Sequence, residues 1–160
     1  MTTLKIYDPS RQAEVEACFR ACVGALGWAY EPEGRHADMV NIEDTYMRHG
    51  RFWCLFEGER LVGTVALRGL DERGRVAEMK RLYVLPACQG KGYGGLLFET
   101  ALHWAKASGF QILRLDTRQD RSASRHLIEK HRFRRIEQYN ENAFAELFYE
   151  LDLDEYDGEE

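Results

Sequence analysis

The sequence has no apolar run approaching the roughly 20 residues that a membrane-crossing helix requires, so a soluble protein without membrane attachment is expected. The opening residues, Met1 to Asp8, lack the basic start and apolar stretch of a secretory leader, and no lipidation motif is present. The expected location is therefore the cytoplasm. Cys18, Cys22, Cys54 and Cys88 form no CxxC pair, and the five histidines stand at no zinc-ligand spacing to them, so reduced structural thiols and no metal are expected. A broad basic field is also missing. The net charge is −5, but Asp152, Asp154, Glu155, Asp157, Glu159 and Glu160 supply −6 of it, which leaves the rest of the chain at +1. Nothing there would attract a nucleic-acid backbone, and nucleic acid is excluded as a partner. Internal repeats and low-complexity segments are absent.

What is present is one domain's worth of chain: 160 residues, 44% hydrophobic and 31% charged. A single domain is expected over residues 1–153, with 154–160 as an acidic, flexible tail. Asp8-Pro9 suits a helix start, and Val15, Cys18, Phe19, Cys22 and Leu26 then recur at helical spacing up to Gly27. After an aromatic and acidic loop, Trp28 to Asp38, a second helix ends near His49. Two apolar runs between Arg51 and Leu70 flank Glu57-Gly58-Glu59-Arg60 and read as a β-hairpin. A further reversal at Asp71 to Gly74 leads into a strand from about Val76 to Leu85. Phe98, Ala101, Leu102 and Ala105, widened by Leu97 and Trp104, mark a long helix over Gly92 to Ser108. A short strand, Gln111 to Asp116, follows Gly109 and implies a parallel crossover. A shorter helix, Ser122 to His131, and two last strands complete an α+β domain with a mixed, mostly antiparallel sheet.

The chemistry concentrates at Gln89-Gly90-Lys91-Gly92-Tyr93-Gly94-Gly95, between a strand and the long helix. A helix N-terminus carries unpaired N–H groups and about half a positive charge, so a loop without Cβ atoms ahead of it can close around a diphosphate. Lys91 can add a point charge. Gly90, Gly92 and Gly95 also satisfy G-x-G-x-x-G, with Asp116 near the offset of a ribose-binding acid, which keeps a dinucleotide oxidoreductase as an alternative. Pro86 to Gln89 separate the strand from the first glycine, however, and a meander stands where further βαβ units would be needed.

Leu82-Tyr83-Val84-Leu85-Pro86 followed by Gln89-Gly90-Lys91-Gly92-Tyr93-Gly94 resembles the signature of the GNAT N-acetyltransferase superfamily, [Q/R]-x-x-G-x-[G/A], carried by Gln89, Gly92 and Gly94. The resemblance implies the GNAT fold: six to seven strands, about four helices and a central βαβ crossover. It implies that the strand before the loop splays from its neighbour. The pantetheine arm of acetyl-CoA would pair with backbone at Leu82, Tyr83 and Val84, and its diphosphate would rest on Gln89 to Gly95. Asp116 then reads as an ordinary strand-end acid. The implied reaction is direct attack of an amine on the thioester, with acetyl-CoA as co-substrate. Glu78, eleven residues before Gln89, stands where many such enzymes place a base, and the N–H near Leu82 would serve the oxyanion.

Further on, Leu127, Glu129, Lys130 and Phe133 fit the family pattern. Arg121 stands at its asparagine position, Ile128 at its tyrosine position and Arg132 at its glycine position. The customary tyrosine acid is thus absent; Tyr30, Tyr139 and Tyr149 are the substitutes to consider, and a thiolate can also leave unaided. The acidic, aromatic segment 28–49, with Glu31, Glu33, Asp38, Glu43 and Asp44, suggests a cationic amine acceptor, small or at a peptide terminus, and a small cationic amine, an amino acid and a peptide or protein amine all stay open as acceptors. A non-catalytic acyl-CoA sensor remains open, as does a homodimer.

Overall fold

Asp8 caps the first turn by accepting the Ser10 N–H at 2.9 Å, and Pro9 pre-sets the turn's backbone. From there α1 runs Gln12–Ala25 and buries Val15, Cys18, Phe19, Cys22 and Val23. This computed structural model describes residues 1–156. The second helix, α2 (Ile42–Tyr46), is preceded by a 3₁₀ turn at Ala37–Val40. The hairpin is β2 (Gly50–Glu57) and β3 (Arg60–Gly69), closed by Gly58, and β4 (Val76–Val84) extends the meander. The long helix α3 spans Tyr93–Ala107, β5 Ile112–Thr117, α4 Ser122–Lys130, β6 Arg134–Ile136 and β7 Leu147–Asp152.

One strand precedes the expected first helix. Thr2–Ile6 forms β1, an edge strand antiparallel to β2 with Leu4 opposite Leu55. Four of its five residues are exposed, so it lacks the apolar alternation by which strands are read, and its pairing with β2 alone makes it a strand. The sheet order is β1-β2-β3-β4-β5-β7-β6, antiparallel except between β4 and β5. This is the seven-stranded, mostly antiparallel open sheet with four helices that the GNAT resemblance implied.

Burial of β3 is continuous from Leu61 to Leu67, which requires cover on both faces, and α1, α2 and α3 all pack against it. Phe19, Tyr46, Phe52, Leu97 and Phe98 are fully enclosed, each contributing about 1.5–3 kcal/mol of apolar burial. The four cysteines are all buried and free. At the C-terminus the chain stays packed past residue 154, the expected start of the tail. Leu153–Glu155 form a 3₁₀ turn capped by Asp152, and Tyr156 is buried. Residues 157–160 of that expected tail lie outside the described part.

Two backbone positions carry opposite mutational signs. A Cβ at Gly50 would lie 1.8 Å from the Leu67 carbonyl oxygen, so Gly50→Ala must break the β2–β3 register. Arg132 ends α4 at φ +64°, with the Phe133 N–H reaching back to the Ile128 carbonyl, a left-handed cap for which glycine is suited. Urea unfolding is expected to show Gly50→Ala at least about 3 kcal/mol less stable than the parent. The same measurement should find Arg132→Gly about 0.5–1 kcal/mol more stable.

Candidate functional site

β4 and β5 pair through only Val76–Ile112, Ala77–Leu113 and Glu78–Arg114. Beyond Glu78 the two strands continue to Val84 and Thr117 without pairing, and a cavity of about 500 Å³ opens in the wedge. One wall is apolar, with Leu82, Tyr83, Phe98 and Ile128. The polar part of the lining carries Arg35, Asp116, Arg118 and Asn142, together with Trp28 and Phe144. The expected splay is therefore present, and it leaves the β5-facing edge of residues 80–84 without a strand partner.

The glycine loop stands past the end of β4. Pro86–Cys88 make a 3₁₀ turn, and Gly90 and Gly92 both have φ +84°, with Gly92 as the cap of α3. An added Cβ at either would meet nothing within 4 Å, so the loop surface is open while its backbone demands glycine. The Gln89 amide folds back to donate to the Val84 carbonyl at 3.1 Å, and Lys91 pairs with Glu57 at 3.0 Å. The first turn of α3, whose leading N–H groups have no partners within the helix, follows directly on this loop.

Glu78 is completely buried and heavily partnered. Its Oε1 accepts from Arg68 at 2.9 Å, and its Oε2 accepts from the Tyr139 hydroxyl at 2.6 Å and the Asn140 amide at 3.1 Å. Burial pushes its pKa up, but the Lys80 and Arg68 charges and the hydrogen bonds outweigh it, and the carboxyl is held below its ordinary value. Glu78 does not line the cavity; Asp116 does. Asn140 joins the two carboxylates, donating to Asp116 at 2.7 Å as well, and Asn142 adds a third bond at 3.3 Å. Asp116 is thus part of the site rather than an ordinary strand end. The Asn140 and Asn142 side chains each accept the N–H two residues on, and these two Asx turns shape the loop between β6 and β7.

Among the candidate tyrosines, Tyr139 bonds Glu78, and burial together with that carboxylate drives its pKa far up. Tyr30 donates to Glu16 at 2.9 Å and is pushed up to about 12, mainly by burial. Tyr149 is buried in the core. Ile128 is an enclosed part of the apolar wall. Arg121 reaches across the wedge, donating to the Leu82 carbonyl at 3.2 Å and stacking over Tyr83.

The acidic loop does not present its charge to the cavity. Asp38 accepts from the Nε and Nη2 of Arg81 along one edge of the guanidinium, at 2.8 and 2.7 Å, and from the Tyr46 hydroxyl at 2.6 Å; Glu31 pairs with Arg35 at 3.0 Å. None of Glu31, Glu33, Asp38, Glu43 and Asp44 lines the cavity. The loop contributes Trp28, Arg35 and His36 instead, a change that periodicity could not reveal because it depends on which side chains pair. Arg81 reaches Asp38 from a left-handed position, φ +58°, at the irregularity where β3 and β4 shift register. Among the described residues, no group of three His, Cys, Asp or Glu side chains could hold a metal ion, and no helix is long and apolar enough to cross a membrane.

A sequence model described as the acetyltransferase (GNAT) family matches residues 15–133. The chain belongs to this family. It is 25% identical over 148 residues to a Xenopus laevis protein named Probable N-acetyltransferase camello, the match taking in 81% of this chain and 67% of that one. It spans 37% of a second curated relative. A GNAT acetyltransferase from Staphylococcus aureus Mu50 superposes with TM-score 0.86 at 18% identity, over 96% of this chain and 99% of that one. A Brucella melitensis GNAT acetyltransferase, solved in complex with acetyl-CoA, superposes with TM-score 0.69 at 19% identity, over 95% and 88%. Membership in the family supports acetyl transfer, with acetyl-CoA as the co-substrate.

His36 gives this wall a pH-dependent stability. Its buried ring accepts the Glu31 N–H on Nδ1 at 2.9 Å, and burial, helped by the Arg81 and Arg35 charges, lowers its pKa from 6.5 to about 4. The unfolded chain then binds the proton more readily than the folded one, so stability is complete above about pH 6.5 and is lost as pH falls towards about 4. Denaturant titrations across that window should show a steeper loss in the parent than in His36→Asn.

Proposed function

We propose that the protein is an acetyl-CoA-dependent N-acetyltransferase in which amine and thioester meet in the wedge between β4 and β5. The observation that carries this reading is the loss of strand pairing after Glu78 and Arg114, with a cavity lined by both apolar and polar side chains beside the gap. Leu82, Tyr83 and Val84 offer backbone to the pantetheine arm along the unpaired edge. Gln89, Gly90, Lys91, Gly92, Tyr93, Gly94 and Gly95 hold the diphosphate against the start of α3. Arg121, which bonds the Leu82 carbonyl, would release it as the arm enters.

The amine nitrogen attacks the thioester carbon, the Leu82 N–H steadies the oxyanion, and the C–S bond breaks to give the amide and a thiolate. Glu78 is the proposed proton acceptor. Its enclosure requires a water between it and the amine, and Tyr139 and Asn140 hold its charge in place. Asp116, being on the wall, is the nearer carboxylate and favours a second reading in which it takes the proton directly. With Ile128 at the family's tyrosine position, the thiolate leaves without a side-chain acid, as the weak basicity of a thiolate permits.

Steady-state kinetics separate these roles. Glu78→Gln is expected to lower kcat about 100-fold with little change in the KM for acetyl-CoA. A wild-type kcat in Glu78→Gln together with a 100-fold loss in Asp116→Asn would move the base to Asp116. Gly92→Ala, forced to hold φ +84°, is expected to weaken acetyl-CoA binding about tenfold or more in calorimetry. Binding without turnover on any amine would establish the sensor instead of the enzyme.

A further inference from the structure

The polar wall of the wedge is built to receive a negative charge as well as an amine. Phe144 lies between two guanidinium groups: the Arg35 Cζ is 3.9 Å from its ring centroid and the Arg118 Cζ 4.4 Å, while Trp28 abuts the ring edge-on at 4.9 Å. A guanidinium stacked by its face on an aromatic ring keeps its N–H edge in plane and available, the geometry that binds a carboxylate through two parallel hydrogen bonds.

Arg118 is the less satisfied of the two. It donates one hydrogen bond, to the Phe144 carbonyl at 2.6 Å, and its Nε has no hydrogen-bond partner. Asp120 and Glu146 approach it only to 3.6 and 3.8 Å, beyond hydrogen-bonding reach, and their side chains are 61% and 44% exposed, so water screens both. Two residues earlier in the chain, near the end of β5, stands Asp116, and both side chains line the cavity. A cation and an anion so placed match the two charges of an amino acid, whose ammonium and carboxylate lie one carbon apart. The diphosphate loop does not account for Arg118, because none of residues 89–95 lines the cavity.

We infer that the acceptor is an amine bearing its own carboxylate, an amino acid, whose carboxylate is held by Arg118 beside the Arg35–Phe144 stack while Asp116 orients the nitrogen. This rests on the acetyl-transfer reading and narrows it: carboxylate recognition at Arg118 sets specificity, in place of attraction by the acidic loop.

The test is thiol release from acetyl-CoA with the common amino acids, each offered as the free acid and as its carboxamide, so that the amine is shared and only the charge differs. At least one free acid is expected to exceed its amide in kcat/KM by about 100-fold, mostly through KM. Arg118→Gln should compress that ratio below about tenfold, and Arg118→Lys should retain an intermediate value. Calorimetry should find acetyl-CoA affinity within about twofold of wild type in Arg118→Gln. Amides or simple amines acetylated as fast as the acids would overturn the inference and leave acetyl transfer standing. So would an unchanged ratio in Arg118→Gln, or loss of acetyl-CoA binding in that variant. No turnover of any acid, amide or simple amine would overturn acetyl transfer and the inference together.

Discussion

Three residue pairs join β4 to β5, and every functional feature depends on the pairing stopping there. Had the ladder continued past Glu78 and Arg114, the backbone of residues 80–84 would be consumed by β5 and no cavity would exist. The divergence is supported from both sides. The register irregularity at Thr64 and Ala66, with Arg81 left-handed beside it and its carbonyl bonded by the Thr64 hydroxyl at 2.9 Å, bends β4 away. On the other side β5 stays with β7 through Thr117. The gap is thus a consequence of how two neighbouring strand pairs are satisfied.

Burying charge beside that gap would be expensive if any group were left alone, and the structure avoids this by pairing. Asp38 with Arg81 and Tyr46, and Glu78 with Arg68, Tyr139 and Asn140, each complete the bonding of a carboxylate away from water. Such pairs contribute less to net stability than to position: they fix β4 against the 28–49 loop on one side and against the β6–β7 loop on the other. The same pairing decides what the cavity offers a substrate. Carboxylates bound inside the wall present no charge to the gap, whereas Arg118 and Asp116, partly satisfied, do.

The departures from the family pattern find separate physical roles. Ile128 completes the apolar wall, Arg121 ties α4's start to the unpaired Leu82 carbonyl, and Arg132 adopts the left-handed backbone that the missing glycine would hold more cheaply. None of the three disturbs the wedge.

Local sequence determined the elements whose signals are local. The helical stripe from Val15 to Cys22, though not its expected continuation to the exposed Leu26, the Gly58 turn, the Asp71 to Gly74 reversal and the glycine loop ahead of α3 all depend on periodicity or on backbone that only glycine adopts easily. β1 was illegible because its residues are mostly exposed and only β2 makes them a strand. The charge around the cavity was illegible for a related reason: Glu31, Asp38, Glu78, Asp116 and Arg118 mean nothing as charges until their partners are known, and most of those partners lie tens of residues away. Tertiary structure alone decided that Asp38 and Glu78 are spent on internal cations, that Asp116 faces the cavity, and that Phe144 brings Arg35 and Arg118 to one ring. Electrostatic character at a site belongs to the residual unpaired groups, and pairing over tens of residues is fixed only when the chain is folded.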